Sequence, residues 1–260
     1  MSSRESIRKT LLVAFSLCVV CSVVVSGTAV VLKPMQDANR VLDRNKNILN
    51  AAGLFEPDMT NEEVAEAFMQ FTPRIVNLNA GRFATDDEIA AAGIDPVSYD
   101  QRLVINDPAL SEAIPAEDDI ADVKRRALYP MVYLVESGDQ FETIVLPVKG
   151  YGLWGIMYGY LALEGDANTV RGLAFYELKE TPGLGAEVRN PNWTALWPGK
   201  EVYRDNGEVG LTVVKGAGQG DYQIDGLSGA TLTSRGVANL VQYWMGEQGY
   251  GPLLEELRTQ

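Results

Sequence analysis

Three short glycine-bearing segments hold the side chains on which chemistry would depend. The sharpest is Asp225-Gly226-Leu227-Ser228-Gly229-Ala230-Thr231-Leu232-Thr233. It lies where a loop gives way to a run with Val237, Leu240, Val241 and Trp244 on one helical face, which predicts a helix from about Ala230 to Met245, closed by Gly246. Hydroxyls at a helix start meet free N–H groups and the positive end of the helix dipole, a setting that favours a phosphate. A plainer reading has Ser228 cap the helix and leaves the threonines without a role. The second segment is Glu180-Thr181-Pro182-Gly183-Leu184-Gly185. Its Pro-Gly pair suits the centre of a type II turn, Gly185 lets backbone N–H groups approach an acceptor, and Glu180 is free to cap or pair locally. The third, Gly150-Tyr151-Gly152-Leu153-Trp154-Gly155, spells G-x-G-x-x-G after a predicted strand. A dinucleotide site needs a helix next, whereas Ile156 to Leu161 reads as another strand, so that site is rejected. Tyr151 and Trp154 on a glycine loop suit the faces of a flat ring, or simply pack.

Composition removes most other chemistry. The chain of 260 residues has no histidine, which excludes a histidine base, a Ser-His-Asp triad and any imidazole zinc site. With 22 basic against 35 acidic residues its net charge is −13, and no basic stripe compensates, so nucleic acid is not an expected partner. No catalytic group and no metal site are expected within this chain. The acidic clusters Asp86-Asp87-Glu88 and Glu117-Asp118-Asp119 with Asp122 lack EF-hand spacing and read as solvated surface.

The elements that position these segments follow from patterning. Leu11 to Leu32 contains no charged side chain, and these 22 residues suffice to span a hydrocarbon core as a helix. Arg4, Arg8 and Lys9 precede it, so the N-terminus is expected in the cytoplasm and the chain after Lys33 outside, in the periplasm of a bacterium. A cleaved signal peptide is the competing reading; the apolar run is longer than a signal core and no clear Ala-x-Ala follows. Cys18 and Cys21 fall within the span, where a thiolate has no water, and the exported part has no cysteine and no disulfide. Residues 1–33 are thus the cytoplasmic terminus and membrane helix, and 34–260 one exported domain. Pro34 is placed just beyond the span. A helix is predicted from Met35 to Ala52 with Gly53 as its stop. A second begins at Thr60, capped with Glu63, and carries Val64, Ala67, Phe68 and Phe71. Strands are predicted over Leu128–Val135, Phe141–Val148, Ile156–Leu163, Val170–Tyr176 and Leu211–Lys215, with turns at Ser137-Gly138-Asp139 and Asp205-Asn206-Gly207. The fold class is α+β: one N-terminal transmembrane helix and a mostly antiparallel domain.

Asp225-x-x-Ser228-Gly229-Ala230-Thr231 resembles the acceptor motif of proteins that carry FMN in phosphoester linkage to a threonine, attached by an exported flavin transferase with FAD as donor. The Gly150–Gly155 and Glu180–Gly185 segments, Lys46-Asn47-Ile48-Leu49 and Gly249-Tyr250-Gly251-Pro252 extend the likeness to the C subunit of the sodium-translocating NADH:quinone reductases. It covers most of the chain, is strong from Lys149 onward and is weak between Asn77 and Ile120. The resemblance implies FMN on Thr231, with Ser228, Gly229, Ala230 and Thr233 about the attachment. Thr181, Gly183, Leu184 and Gly185, with Leu153 and Trp154, would line the ring. It further implies an electron-transfer subunit in the bacterial inner membrane, whose partners are the other subunits of the reductase. The equivalent flavin subunit of an Rnf-type complex shares the acceptor motif and is the alternative within the flavin class; a cofactor-free, membrane-anchored assembly domain is the alternative outside it.

Overall fold

The computed structural model describes residues 2–138 and 140–259, except the side chains of residues 2–6 and 140, and divides into two compact units, one through Arg44 and one from Asn45. The first is a single helix. Helix α1 runs Ser2–Ala51 without interruption, through Pro34 rather than ending before it. The proline removes one i to i−4 bond, and the helix carries on beyond it. Its apolar window, from Ile7 onward, is unburied along its length and is long and apolar enough to cross a membrane.

The last turns of α1 belong to the second unit, where Ile48, Leu49 and Ala51 are fully buried. Gly53 ends the helix in the left-handed region at φ 68°. Its N–H bonds Asn50 O and that of Leu54 bonds Leu49 O, the paired closure that a left-handed residue permits. Gly172 makes room for this end: a Cβ there would stand 2.4 Å from Ala51 O.

Helix α2 (Asn61–Phe68) has the expected Thr60–Glu63 capping box. Phe71 does not continue it but opens strand β1 (Phe71–Asn77), paired antiparallel to a later strand with Phe71 opposite Val135. After the short β2 (Arg82–Phe83), helix α3 (Asp86–Ala91) accounts for the first acidic cluster. The cluster forms the helix's first turn, where Glu88 closes a second capping box with Thr85 and pairs with Arg82 at 3.0 Å. The Arg82 hydrogen bonds hold the Glu88 carboxyl at about 2. In the second cluster Asp119 accepts the N–H groups of Val123 and Lys124, closing its own loop.

Strands β3 (Ser111–Ala113) and β4 (Arg125–Ala127) form a small ribbon. The main sheet adds β5 (Met131–Ser137), β6 (Gln140–Tyr151), β7 (Ile156–Glu164) and β8 (Val170–Glu177), in order β2-β1-β5-β6-β7-β8, antiparallel throughout. The β5–β6 hairpin turns at Gly138, and Asp139 lies outside the described residues. Beyond β8 come a 3-10 turn (Gly185–Arg189), α4 (Pro191–Thr194), β9 (Thr212–Val213) and β10 (Gln223–Ile224). The strand expected over Leu211–Lys215 is thus only two residues long, and its partner β10 runs parallel. Helix α5 (Thr231–Met245) lies on β6, where Gly150 faces Leu240 too closely for a Cβ and Trp244 Nε1 donates to Lys149 O at 2.7 Å. A last helix, α6 (Gly251–Arg258), opens with Pro252 in its first turn and is too short for its periodicity to announce it.

Beside α5 a cavity of about 60 Å³ is bounded by Arg102, Lys149, Tyr158, Tyr176, Trp244 and Tyr250. Burial, with the Arg102 charge adding to it and Asp119 opposing, brings the Lys149 ammonium down to about 8. The unfolded chain, with an ordinary lysine near 10.5, then binds the proton more tightly, so the burden on the fold is full below pH 8 and is lifted as pH rises toward 10. Above pH 10 the phenol of Tyr176, which burial pushes up to about 12, acts in the opposite sense. Urea unfolding should therefore show stability rising by about 2 kcal/mol between pH 8 and 10. Lys149→Met should flatten that rise; an equal rise in the variant would place its origin elsewhere.

Candidate functional site

The β6–β7 hairpin fixes the first segment. Tyr151 pairs with Ile156, so residues 152–155 are its loop, and Gly152 N bonds Gly155 O at 2.9 Å. Strand follows strand here, as expected, so the glycines do not lead into a helix. Leu153 and Trp154 are exposed at the loop tip, Trp154 by 61%.

The second segment makes the expected turn. Gly183 has φ 76° and Leu184 N bonds Thr181 O at 3.1 Å, the geometry of a type II turn with Pro182 and Gly183 at its centre. Thr181, Gly183 and Leu184 are exposed. Gly185 is buried, so it shapes the ground beneath the turn instead of presenting N–H groups at the surface.

The third segment is anchored at its near end by Asp225, whose Oδ1 accepts Gly218 N–H at 2.8 Å and whose carbonyl accepts Trp193 Nε1–H at 2.8 Å. Ser228 and Gly229 are exposed, and Gly229 sits at φ 77°. Ser228 does not cap α5: the cap position is Ala230, with no side-chain acceptor. Ser234, one turn in, accepts Leu227 N–H through Oγ at 3.0 Å. Thr231 is exposed at the first helical position and Leu232 is exposed beside it. Thr233 is 1% exposed, and its hydroxyl donates inward to Glu180 Oε2 at 2.6 Å.

Glu180 is what brings the segments together. It is 5% exposed. Its Oε1 accepts the N–H groups of Leu153 at 2.9 Å and Trp154 at 3.0 Å, while Oε2 holds Thr233. A buried carboxylate needs such donors, and here each comes from a different part of the chain than its own turn. Two glycines clear its space: a Cβ on Gly152 would stand 2.5 Å from Oε1, and one on Gly185 2.4 Å from Oε2 and 2.5 Å from the Thr233 hydroxyl. Gly236 performs the same service one turn into α5, against Tyr151 O at 2.4 Å. No local pattern in the sequence marks this clamp, since its partners are 26 to 53 residues away.

The arrangement fits a flavin phosphate and ring. An uncapped helix start carries an exposed hydroxyl, which suits a phosphoester anion. On the segments tied through Glu180, which are the end of β6, the two glycine loops and the first turn of α5, stand the exposed apolar side chains Tyr151, Leu153, Trp154, Leu184 and Leu232, and Leu184 approaches the backbone at Gly229. Exposed apolar groups gathered this way mark a binding surface.

A family model described as FMN-binding domain matches residues 152–246, which takes in the second and third of these segments by position, Glu180–Gly185 and Asp225–Thr233, and the loop segment from Gly152 onward. The C subunit of the Na(+)-translocating NADH-quinone reductase of Pseudomonas aeruginosa is 48% identical, over 99% of this chain and 98% of that protein. The chain belongs to the family of Na(+)-translocating NADH-quinone reductase C subunits. The Yersinia pestis member is 44% identical over 98% of this chain and 95% of its own length. A crystal structure of Shewanella oneidensis NqrC superimposes with a TM-score of 0.72 at 32% identity, covering 84% of this chain and 98% of that one. The crystal structure of the Parabacteroides distasonis member gives 0.63 at 25% identity, covering 86% and 96%. Membership of this family favours the sodium reductase over the Rnf-type alternative, because the likeness runs nearly end to end.

Proposed function

We propose that this chain is the FMN-carrying electron-transfer subunit of a membrane-bound, Na+-translocating NADH:quinone reductase, with FMN held as a phosphoester on Thr231. The observation that carries the attachment is an exposed threonine hydroxyl at the uncapped start of α5, on loops joined to Leu153, Trp154 and Leu184 through one buried carboxylate. FMN, once bound, supplies the exchange of electrons one or two at a time. The chain's own residues supply the rest. The helix start favours the phosphate charge, Thr181, Gly183 and Leu184 form one bank of the ring site, and Leu153 with Trp154 forms the other. No complete active site is needed here, since the electrons arrive from and leave to other subunits, and maturation falls to a flavin transferase.

The anchor is α1, and a single apolar helix without a charged side chain in its span does not line a sodium path. The charges at Arg4, Arg8 and Lys9 favour an N-terminus inside and residues 34–260 in the periplasm, and the length of the apolar run favours an uncleaved chain. A reporter fused after Gln260 should be active in the periplasm; activity confined to the cytoplasm would reverse this orientation. For the attachment, the full chain co-expressed with a flavin transferase should fluoresce on a denaturing gel and weigh more by one FMN less one water. A colourless product of unmodified mass would favour the assembly-domain reading instead.

A further inference from the structure

Flavin attachment requires more of the chain than a hydroxyl. On the reading that Thr231 is the acceptor, its oxygen forms a bond to the FMN phosphorus of FAD, the bridging P–O bond breaks, AMP leaves with the bridging oxygen, and the hydroxyl proton passes to the transferase. Such an in-line displacement depends on the direction in which the oxygen is held, and small misplacements are costly. Thr231 is itself exposed and has no side-chain cap beside it, so its direction must come from the turn that carries it.

That turn is gripped at two points. Ser234 Oγ accepts Leu227 N–H at 3.0 Å, which ties the helix back to the loop before it. Thr233 Oγ1 donates to Glu180 Oε2 at 2.6 Å, which ties the helix to the rest of the site. Glu180 is itself immobilised, because Oε1 is engaged by two backbone N–H groups and the space around both oxygens is closed by Gly152 and Gly185. Side chains two apart on a helix leave it in different directions, so fixing Thr233 inward sends Thr231 outward.

We propose that Glu180 is a positioning residue for flavin attachment, acting through the Thr233 hydroxyl to set the first turn of α5 and hence the direction of the Thr231 oxygen. The claim separates from simple packing because Val matches Thr in shape but cannot donate. It also separates from a role for the charge of Glu180. A glutamine there can accept the two N–H groups with its oxygen and donate its own N–H to the Thr233 oxygen, so the same links survive without the charge.

The test uses the purified full chain in detergent, made without transferase, then supplied with FAD and a flavin transferase. Rates of covalent flavin appearance are read from in-gel fluorescence and intact mass. Thr233→Val should lower kcat at least tenfold with little change in KM, while Thr233→Ser and Glu180→Gln stay within about threefold of the wild type. A folded Thr233→Val chain modified at the wild-type rate would overturn the proposal. Should that variant not fold, Glu180→Ala removes the same link from the other side, and a folded Glu180→Ala chain modified at the wild-type rate would overturn the proposal, as would a folded Glu180→Gln chain as inert as Thr231→Val, which would make charge, not positioning, the requirement. Failure of the underlying reading looks different, since the wild-type chain itself would then take up no flavin, and the proposal would fall with it.

Discussion

Thr231→Val should leave a folded, membrane-inserted chain that carries no covalent flavin at all. The size of the effect follows from chemistry: the substitution removes the one atom that can form the ester, and an alkyl side chain offers no substitute. The cost to folding is small. Thr231 is exposed, its side chain caps nothing, and Thr and Val have similar helix propensities, so the change is within about 0.5 kcal/mol. The neighbouring hydroxyls are poorly placed to replace it. Thr233 is buried with its proton committed to Glu180, and Ser228 is exposed but lies in the loop before the helix. Thr231→Ser keeps the nucleophile and should retain the flavin. Fluorescence on a denaturing gel, together with intact mass and a far-UV spectrum, separates these outcomes. Covalent flavin on a folded Thr231→Val chain would move the acceptor to another residue, with Ser228 the next to test.

Much of this architecture is legible in the sequence because its signals are local. A charge-free run announces the membrane helix, Thr60 with Glu63 announces α2, two strand patterns about Ser137-Gly138 announce the β5–β6 hairpin, and Pro182-Gly183 announces its turn. The failures have a common physical cause. Phe71 keeps helical spacing with Phe68, yet its partner is Val135, and no window of sequence contains both. The acidic run at Asp86 is solvated as read, and Thr85 with Glu88 adds to it the same local capping pattern as Thr60 with Glu63. At the candidate site, residue types are readable while their grouping is not. Glutamate in a glycine-rich turn reads as a local cap, and only folding brings Leu153, Trp154 and Thr233 to it. Likewise Gly185 and Thr233 look like surface of the site in the sequence, whereas in the fold they are its foundation.

Gly185→Val tests that distinction, because it should cost both stability and flavin. If Gly185 merely lined the surface, a larger side chain would disturb the ring and leave the fold intact. In the structure the first carbon of any side chain would stand 2.4 Å from Glu180 Oε2 and 2.5 Å from Thr233 Oγ1, well inside contact distance. Glu180 cannot yield cheaply, since moving it strips an acceptor from Leu153 N–H and Trp154 N–H and a partner from Thr233 in a buried setting. Each buried polar group left unpaired costs about 1–3 kcal/mol, so the loss should reach about 3 kcal/mol or more, or roughly 10 °C in melting temperature. Gly183 supplies the comparison two residues away. It has open space around it but a φ of 76°, so Gly183→Ala should cost only about 1–2 kcal/mol from backbone strain. Thr231→Val thus removes flavin without touching stability, whereas Gly185→Val removes both together. A Gly185→Val chain that melts with the wild type would mean that Glu180 can leave its three partners freely, and the clamp would then not be what holds the acceptor loop in place.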